Sequence, residues 1–75
     1  MIDLDQLSAF VTIAERGTVT SAARKLHRTQ SAISRRLSLL EDALGAQLFD
    51  RRGAALALTD AGRAFFPFAE SALAA

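Results

Sequence analysis

Four neighbouring residues, Gln30, Ser31, Ser34 and Arg35, are the types that read the edges of nucleic-acid bases. An amide carries a donor beside an acceptor and pairs with adenine N6 and N7. A guanidinium forks onto guanine O6 and N7. Small hydroxyls reach a base edge or a phosphate and let the element that carries them sit deep. Arg51 and Arg52 form a second cationic spot, suited to a minor groove or to phosphates. Catalytic groups are not assembled in the same way. The chain has one His and no Cys, which is too little for a metal ligand set. Ser31 and Ser34 have no nearby base, and Asp50 and Asp60 have no suggested partner acid. The expectation is therefore no enzyme activity, no metal and no cofactor.

The charges are segregated. Six basic residues (Arg16, Arg24, Lys25, Arg28, Arg35 and Arg36) lie between Arg16 and Leu40, a stretch without an acid. All eight acids flank it: Asp3, Asp5 and Glu15 before, then Glu41, Asp42, Asp50, Asp60 and Glu70. The net charge of +1 hides this. Segregation of this kind suggests a basic face for a polyanion, although a chance asymmetry on a solvated surface gives the same count.

Seventy-five residues allow one small domain, which buries only about 60% of its unfolded surface. No disulfide supports it, so the core rests on apolar side chains, 51% of the chain. Ala and Leu dominate that supply and favour helices. No apolar run approaches the length of a membrane span. Asp3 and Asp5 replace the basic start of a secretory signal, so a cytoplasmic location is expected.

Periodicity supplies the elements. Leu4, Leu7, Phe10, Val11 and Ala14 draw one helical stripe over 4–15, stopped by Gly17. Thr18 or Thr20 caps a short second helix over 20–26, with Val19, Ala22, Ala23 and Leu26 on its apolar side. His27-Arg28-Thr29 make a turn. Thr29 caps a third helix over 30–44, ended by Gly45. Its core stripe is Ile33, Leu37, Leu40 and Leu44, and Ser31, Ser34, Arg35 and Ser38 lie opposite. Leu39 falls outside the stripe and is expected to meet a hairpin. That hairpin pairs Gln47–Asp50 with Leu56–Leu58, with Gly53 at its tip. Thr59 caps a last helix whose Pro67 is expected to bend it. The order, three helices, hairpin, helix, predicts a mainly α winged helix-turn-helix.

Two helices joined by three residues must touch closely. Ala23 is the small contact on one, and Ile33 its buried partner on the other. The turn needs a residue at positive φ, and His is enriched there, so His27 reads as a turn residue. A helix over 30–44 is about 22 Å long, and its first half fits a major groove. Thr29 at its start points N–H groups toward phosphate. Thr18, Thr20, Arg24, Lys25, Arg28 and Arg36 are candidate backbone contacts, which position without specifying. Arg36 has a second reading, paired with Glu15 or Glu41, and Arg24 and Lys25 as ordinary surface charge. Phe65, Phe66 and Phe68 cannot all face one way, since consecutive helical residues differ by about 100°. Some aromatic surface is left for a partner.

The run AARKLHRTQSAISRRLSLLE, followed by LGAQLFDR and then LTDAGRAFFPFAE, resembles the N-terminal DNA-binding domain of LysR-type transcriptional regulators. The resemblance extends from about Leu4 to Leu73. It implies a winged domain at 1–58 and, at 59–75, the start of a linker helix that pairs two copies. It implies binding to double-stranded DNA at an inverted-repeat operator, as a homodimer joined through Phe65, Phe66, Ala69 and Leu73. Gln30, Ser31, Ser34 and Arg35 match the family's base-contacting positions, Arg51 and Arg52 its wing, and Thr18 and Thr20 its backbone contacts. Ser31 departs from a frequent Pro and Arg28 from a frequent apolar residue. A small-molecule effector is expected only for a full-length protein with an effector domain, which is missing here; an isolated domain or a truncated chain is expected. The other reading is a winged helix that binds protein, which an apolar or acidic third-helix face would favour.

Overall fold

The computed structural model describes residues 1–53 and 55–75. Its elements are α1 (Leu4–Arg16), α2 (Val19–Leu26), α3 (Gln30–Leu44), β1 (Phe49–Asp50), β2 (Ala57–Leu58) and α4 (Asp60–Ala74). This is the expected mainly helical winged architecture, with the wing reduced to two-residue strands. Ala54, part of the expected hairpin loop, lies outside the described residues.

Every helix start is capped by a side chain. Thr18, Thr29 and Thr59 accept from Ser21, Ala32 and Gly62 N–H at 3.1, 3.1 and 3.0 Å. Thr18 is the cap of α2, and Thr20 sits inside its first turn. Asp3 caps α1 in a reciprocal box: Gln6 N–H donates to Asp3 Oδ1 at 2.8 Å, and Asp3 N–H to Gln6 Oε1 at 3.4 Å. Both orphan donors are satisfied at once. Between α2 and α3, His27 holds φ at 56°, as the turn requires. The Arg28 N–H closes this turn on the Ala23 carbonyl at 2.9 Å.

The core lies where α1 meets the three other helices. Phe10 is fully buried. Its ring centroid is 5.5 Å from that of Phe49, 5.8 Å from Phe65 and 6.0 Å from Phe66, inside the range of favourable aromatic pairs. One side chain thus ties α1 to the wing and to α4. Ile33, Leu37 and Leu40 of α3 are buried beside Ala22 and Ala23 of α2, as the small-residue contact demands.

The wing is antiparallel, Phe49 opposite Leu58 and Asp50 opposite Ala57. Two pairs cannot hold a hairpin alone, and other bonds fasten it. Leu56 N–H donates to the Gly17 carbonyl at 3.4 Å, and Thr59 N–H to the Leu48 carbonyl at 3.0 Å. The Thr59 hydroxyl donates to the Gln47 carbonyl at 2.6 Å. At the next turn Gly62 is packed so tightly that a Cβ there would lie 2.2 Å from the Leu48 oxygen and 2.9 Å from Leu58 Cδ2.

Two expectations are corrected. Leu39 does not meet the wing; it is 41% exposed, beside the start of α1 in a shallow cleft with Asp3, Asp5 and Gln6. The helical phase turns it toward α1, on the side away from the hairpin. Ala69 is not left for a partner: at 1% exposed it belongs to the monomer's own core, because α4 turns it inward beside Phe65 and Phe66. The aromatic surface that α4 does expose is Phe68, at 71%. The assignment of α4 as helical through Pro67 holds over its whole length.

Candidate nucleic-acid interface

The surface of α3 opposite its buried stripe carries Ser31, Ser34 and Arg35, and Gln30 stands at the N-terminal end of the helix, all four exposed. Their side chains stand on a rigid base, since Ile33, Leu37 and Leu40 on the other face are at most 1% exposed. No acid shares this face until Glu41 and Asp42 at the far end. Among the described residues, no carboxylate pairs with Arg35. Its guanidinium is thus available for a bidentate contact. The α3 cap leaves free N–H groups at the helix start, where the helix dipole favours an anion.

Around this face the structure gathers exposed hydroxyls and cations. Thr18, Thr20, Arg24, Lys25, Arg28 and Thr29 are all exposed. Arg36 is half-buried and lines the cleft that also holds Asp3, Asp5 and Leu39. Neither Glu15 nor Glu41 is its partner among the described ion pairs.

The two wing arginines stand in different settings. Arg51 Nη2 lies 3.6 Å from Glu41 Oε1, while the other oxygen of Glu41 accepts the Leu48 N–H at 2.7 Å. Glu41 therefore fastens the recognition helix to the root of the wing and holds Arg51 beside it. Arg52 is forked onto Asp50: Nε donates to Oδ1 at 3.0 Å and to Oδ2 at 3.1 Å, and Nη2 to Oδ2 at 2.7 Å. The Arg52 backbone N–H also donates to Asp50 Oδ1 at 3.0 Å. These hydrogen bonds, together with the charge of Arg52, pull the Asp50 carboxyl down to about 2 and raise Arg52.

Sequence reasoning missed both carboxylates. Asp50 and Arg52 stand two apart, the spacing at which an Asp side chain accepts from the backbone N–H two residues on, and that spacing could have shown the pair. Glu41 meets residues seven and ten positions on, so only the fold reveals its part. On α4, Phe65 and Phe66 are half-buried against the core, and Leu73 is 38% exposed. Phe68 and Phe65 border an apolar groove with Leu44, Ala46, Leu48, Ala61 and Ala64.

Comparison with known proteins agrees with this geometry. Residues 4–63 match the family model described as bacterial regulatory helix-turn-helix protein, lysR family. An uncharacterized HTH-type transcriptional regulator of Azotobacter vinelandii is 47% identical over 66 residues, 88% of this chain and 46% of that protein. The HTH-type transcriptional regulator BsdA of Bacillus subtilis is 45% identical over 73 residues, 96% of this chain and 25% of its own length. The chain therefore spans between a quarter and a half of these relatives. Among solved structures, a BenM_DBD complex with catB site 1 DNA superposes with a TM-score of 0.93 at 34% identity, covering 97% of this chain and 82% of that one. Vibrio fischeri DarR in complex with DNA gives the same TM-score and identity, covering 97% of this chain and 25% of that one.

Proposed function

Because the chain belongs to the lysR family of bacterial regulatory helix-turn-helix proteins, we propose that it binds double-stranded DNA in a sequence-specific way and serves a transcriptional regulator. The single observation that carries this reading is the exposed face of α3. Gln30, Ser31, Ser34 and Arg35 are exposed together over a fully buried stripe. An amide, two hydroxyls and a guanidinium on one rigid helix are what major-groove readout uses. The likeness to two protein–DNA complexes supports it.

The roles divide as follows. Gln30 and Arg35 read bases, and Ser31 and Ser34 allow close approach and contact base or phosphate. Thr18, Thr20, Arg28 and Thr29 meet the backbone beside α3. Arg52 grips phosphate or minor groove from the wing, while Arg51, held by Glu41, shapes the wing root. Arg36 adds positive charge at the edge of the face. Two copies join through the exposed side of α4, where Phe68 and Leu73 are free and Phe65 supplies a flank, so the site is an inverted repeat. The setting is the bacterial cytoplasm, where such DNA lies. No residue of this chain is assigned to effector sensing or to catalysis.

The test is selection from a randomised inverted-repeat duplex pool, followed by fluorescence anisotropy with a salt titration. The expected result is an enriched palindrome, a steep negative salt slope and two chains per duplex. No binding at low salt would replace this reading with a protein-interaction module.

A further inference from the structure

Arg52 is the most exposed cation in the wing, yet it does not stand alone. Its side chain is 91% exposed, and that of Asp50, which holds it, 33%. Three side-chain hydrogen bonds and one backbone bond join the two residues. The backbone bond matters most for geometry. It ties the carboxylate to the chain at Arg52 itself, so Asp50 is held in place before it meets the guanidinium. Its pairing across the hairpin with Ala57 anchors it from the other side. The carboxylate takes the Nε and Nη2 edge of the guanidinium. This is the fork that a phosphate would otherwise take.

We propose that Asp50 is a specificity-determining residue of the wing, an internal stand-in for phosphate that keeps Arg52 from gripping DNA backbone indiscriminately. The inference rests on the DNA-binding reading above. Its physical basis is the division of binding energy in protein–DNA complexes. Each cation free to neutralise a phosphate strengthens binding to every sequence alike and steepens the salt dependence. A cation already forked by a carboxylate releases no counterion until that fork opens. Arg52 thus adds little to binding at random DNA and retains its outer edge, the Nη1 group, which has no hydrogen-bond partner among the described residues, for a site whose groove meets it. Arg35 on α3 has no such carboxylate partner among the described residues, so readout through the helix is not tempered in this way.

The test needs no knowledge of the operator. Anisotropy is read on a random-sequence duplex across a salt series, for the native chain, Asp50→Asn, Arg52→Ala and the double variant. Thermal unfolding of each variant confirms that it is folded. Asparagine keeps the size of the side chain and an oxygen for the Arg52 N–H but loses the charged fork. The expected result is that Asp50→Asn binds random DNA about fivefold more tightly near 0.1 M salt, with a salt slope steeper by about one. In the Arg52→Ala background the same change has almost no effect on either quantity. An equal gain in both backgrounds would overturn the inference, because Asp50 would then act only by repelling DNA. An unchanged slope in Asp50→Asn would also overturn it while leaving the DNA-binding reading intact. Failure of the native chain to bind any duplex would remove both.

Discussion

The recognition helix and the wing meet the solvent with similar chemistry but are built differently. Helix α3 is positioned by apolar burial on the face it does not show, with Ile33, Leu37 and Leu40 in the core. Its reading face is thereby spared any structural duty, and Arg35 stays unpaired among the described residues. The wing has two strand pairs and little core of its own. Beyond Leu48 and Phe49, which are buried in the common core, its position depends on polar fastenings: Glu41 on Leu48, Thr59 on Gln47, Leu56 on Gly17. Both of its arginines face carboxylates. A buried stripe separates structure from recognition, whereas a thin hairpin has to use the same polar groups for both. Changes in α3's outer face should therefore alter binding alone, and changes around the wing should alter stability first.

The strongest way to break that contrast is at Gly62. Gly62→Ala drives a Cβ against the Leu48 carbonyl, a backbone atom that cannot step aside without moving the wing. A loss of about 3 kcal/mol is expected from such overpacking, read as a fall in the urea midpoint. A loss below about 1 kcal/mol would mean that wing and α4 adjust freely and that the wing is not tightly fastened.

Glu41 sharpens the comparison next. Glu41→Ala strands the Leu48 N–H and should cost about 2 kcal/mol. Glu41→Gln keeps an acceptor for that N–H and loses only the long contact to Arg51, whose own side of the pair is open to solvent, a contact worth about 1 kcal/mol. Equal losses in the two variants would shift the importance from the backbone bond to the ion pair.

On α3 the prediction reverses. Arg35→Ala should leave the unfolding midpoint within about 0.5 kcal/mol of the native chain. It should weaken binding to the selected duplex by about 2 kcal/mol and relax the sequence preference at one position. A uniform loss on all sequences would remove Arg35 from base reading.

The smallest effect concerns Asp50. Its carboxyl is lowered from 3.8 to about 2 in the folded chain by Arg52. A group depressed by folding adds stability above its unfolded value and loses it as pH falls through the folded one. The native chain should thus lose a small increment between about pH 4 and 2 that Asp50→Asn lacks. Urea midpoints for the two proteins should converge over that interval, and a constant difference would show that the pair contributes nothing to folding.

Much of this was legible beforehand because it depends on short stretches of chain. Helix α3 runs from Gln30 to Leu44, as its stripe and its flanking Thr29 and Gly45 foretold. His27 takes the left-handed conformation because a three-residue turn demands it. Caps, stops and apolar periods are settled among residues three or four apart, so the sequence by itself determined the elements, their order and the face that α3 exposes. The tertiary structure decided which side chains meet. It turned Ala69 into the core and Phe68 out of it, since helical phase assigns each residue a direction but not what stands in that direction. It sent Leu39 toward the start of α1 and brought Glu41 to Leu48 and Arg51. Those contacts join segments whose separation is set only when α1, α3 and the wing pack into one core, and local preference carries no information about that distance.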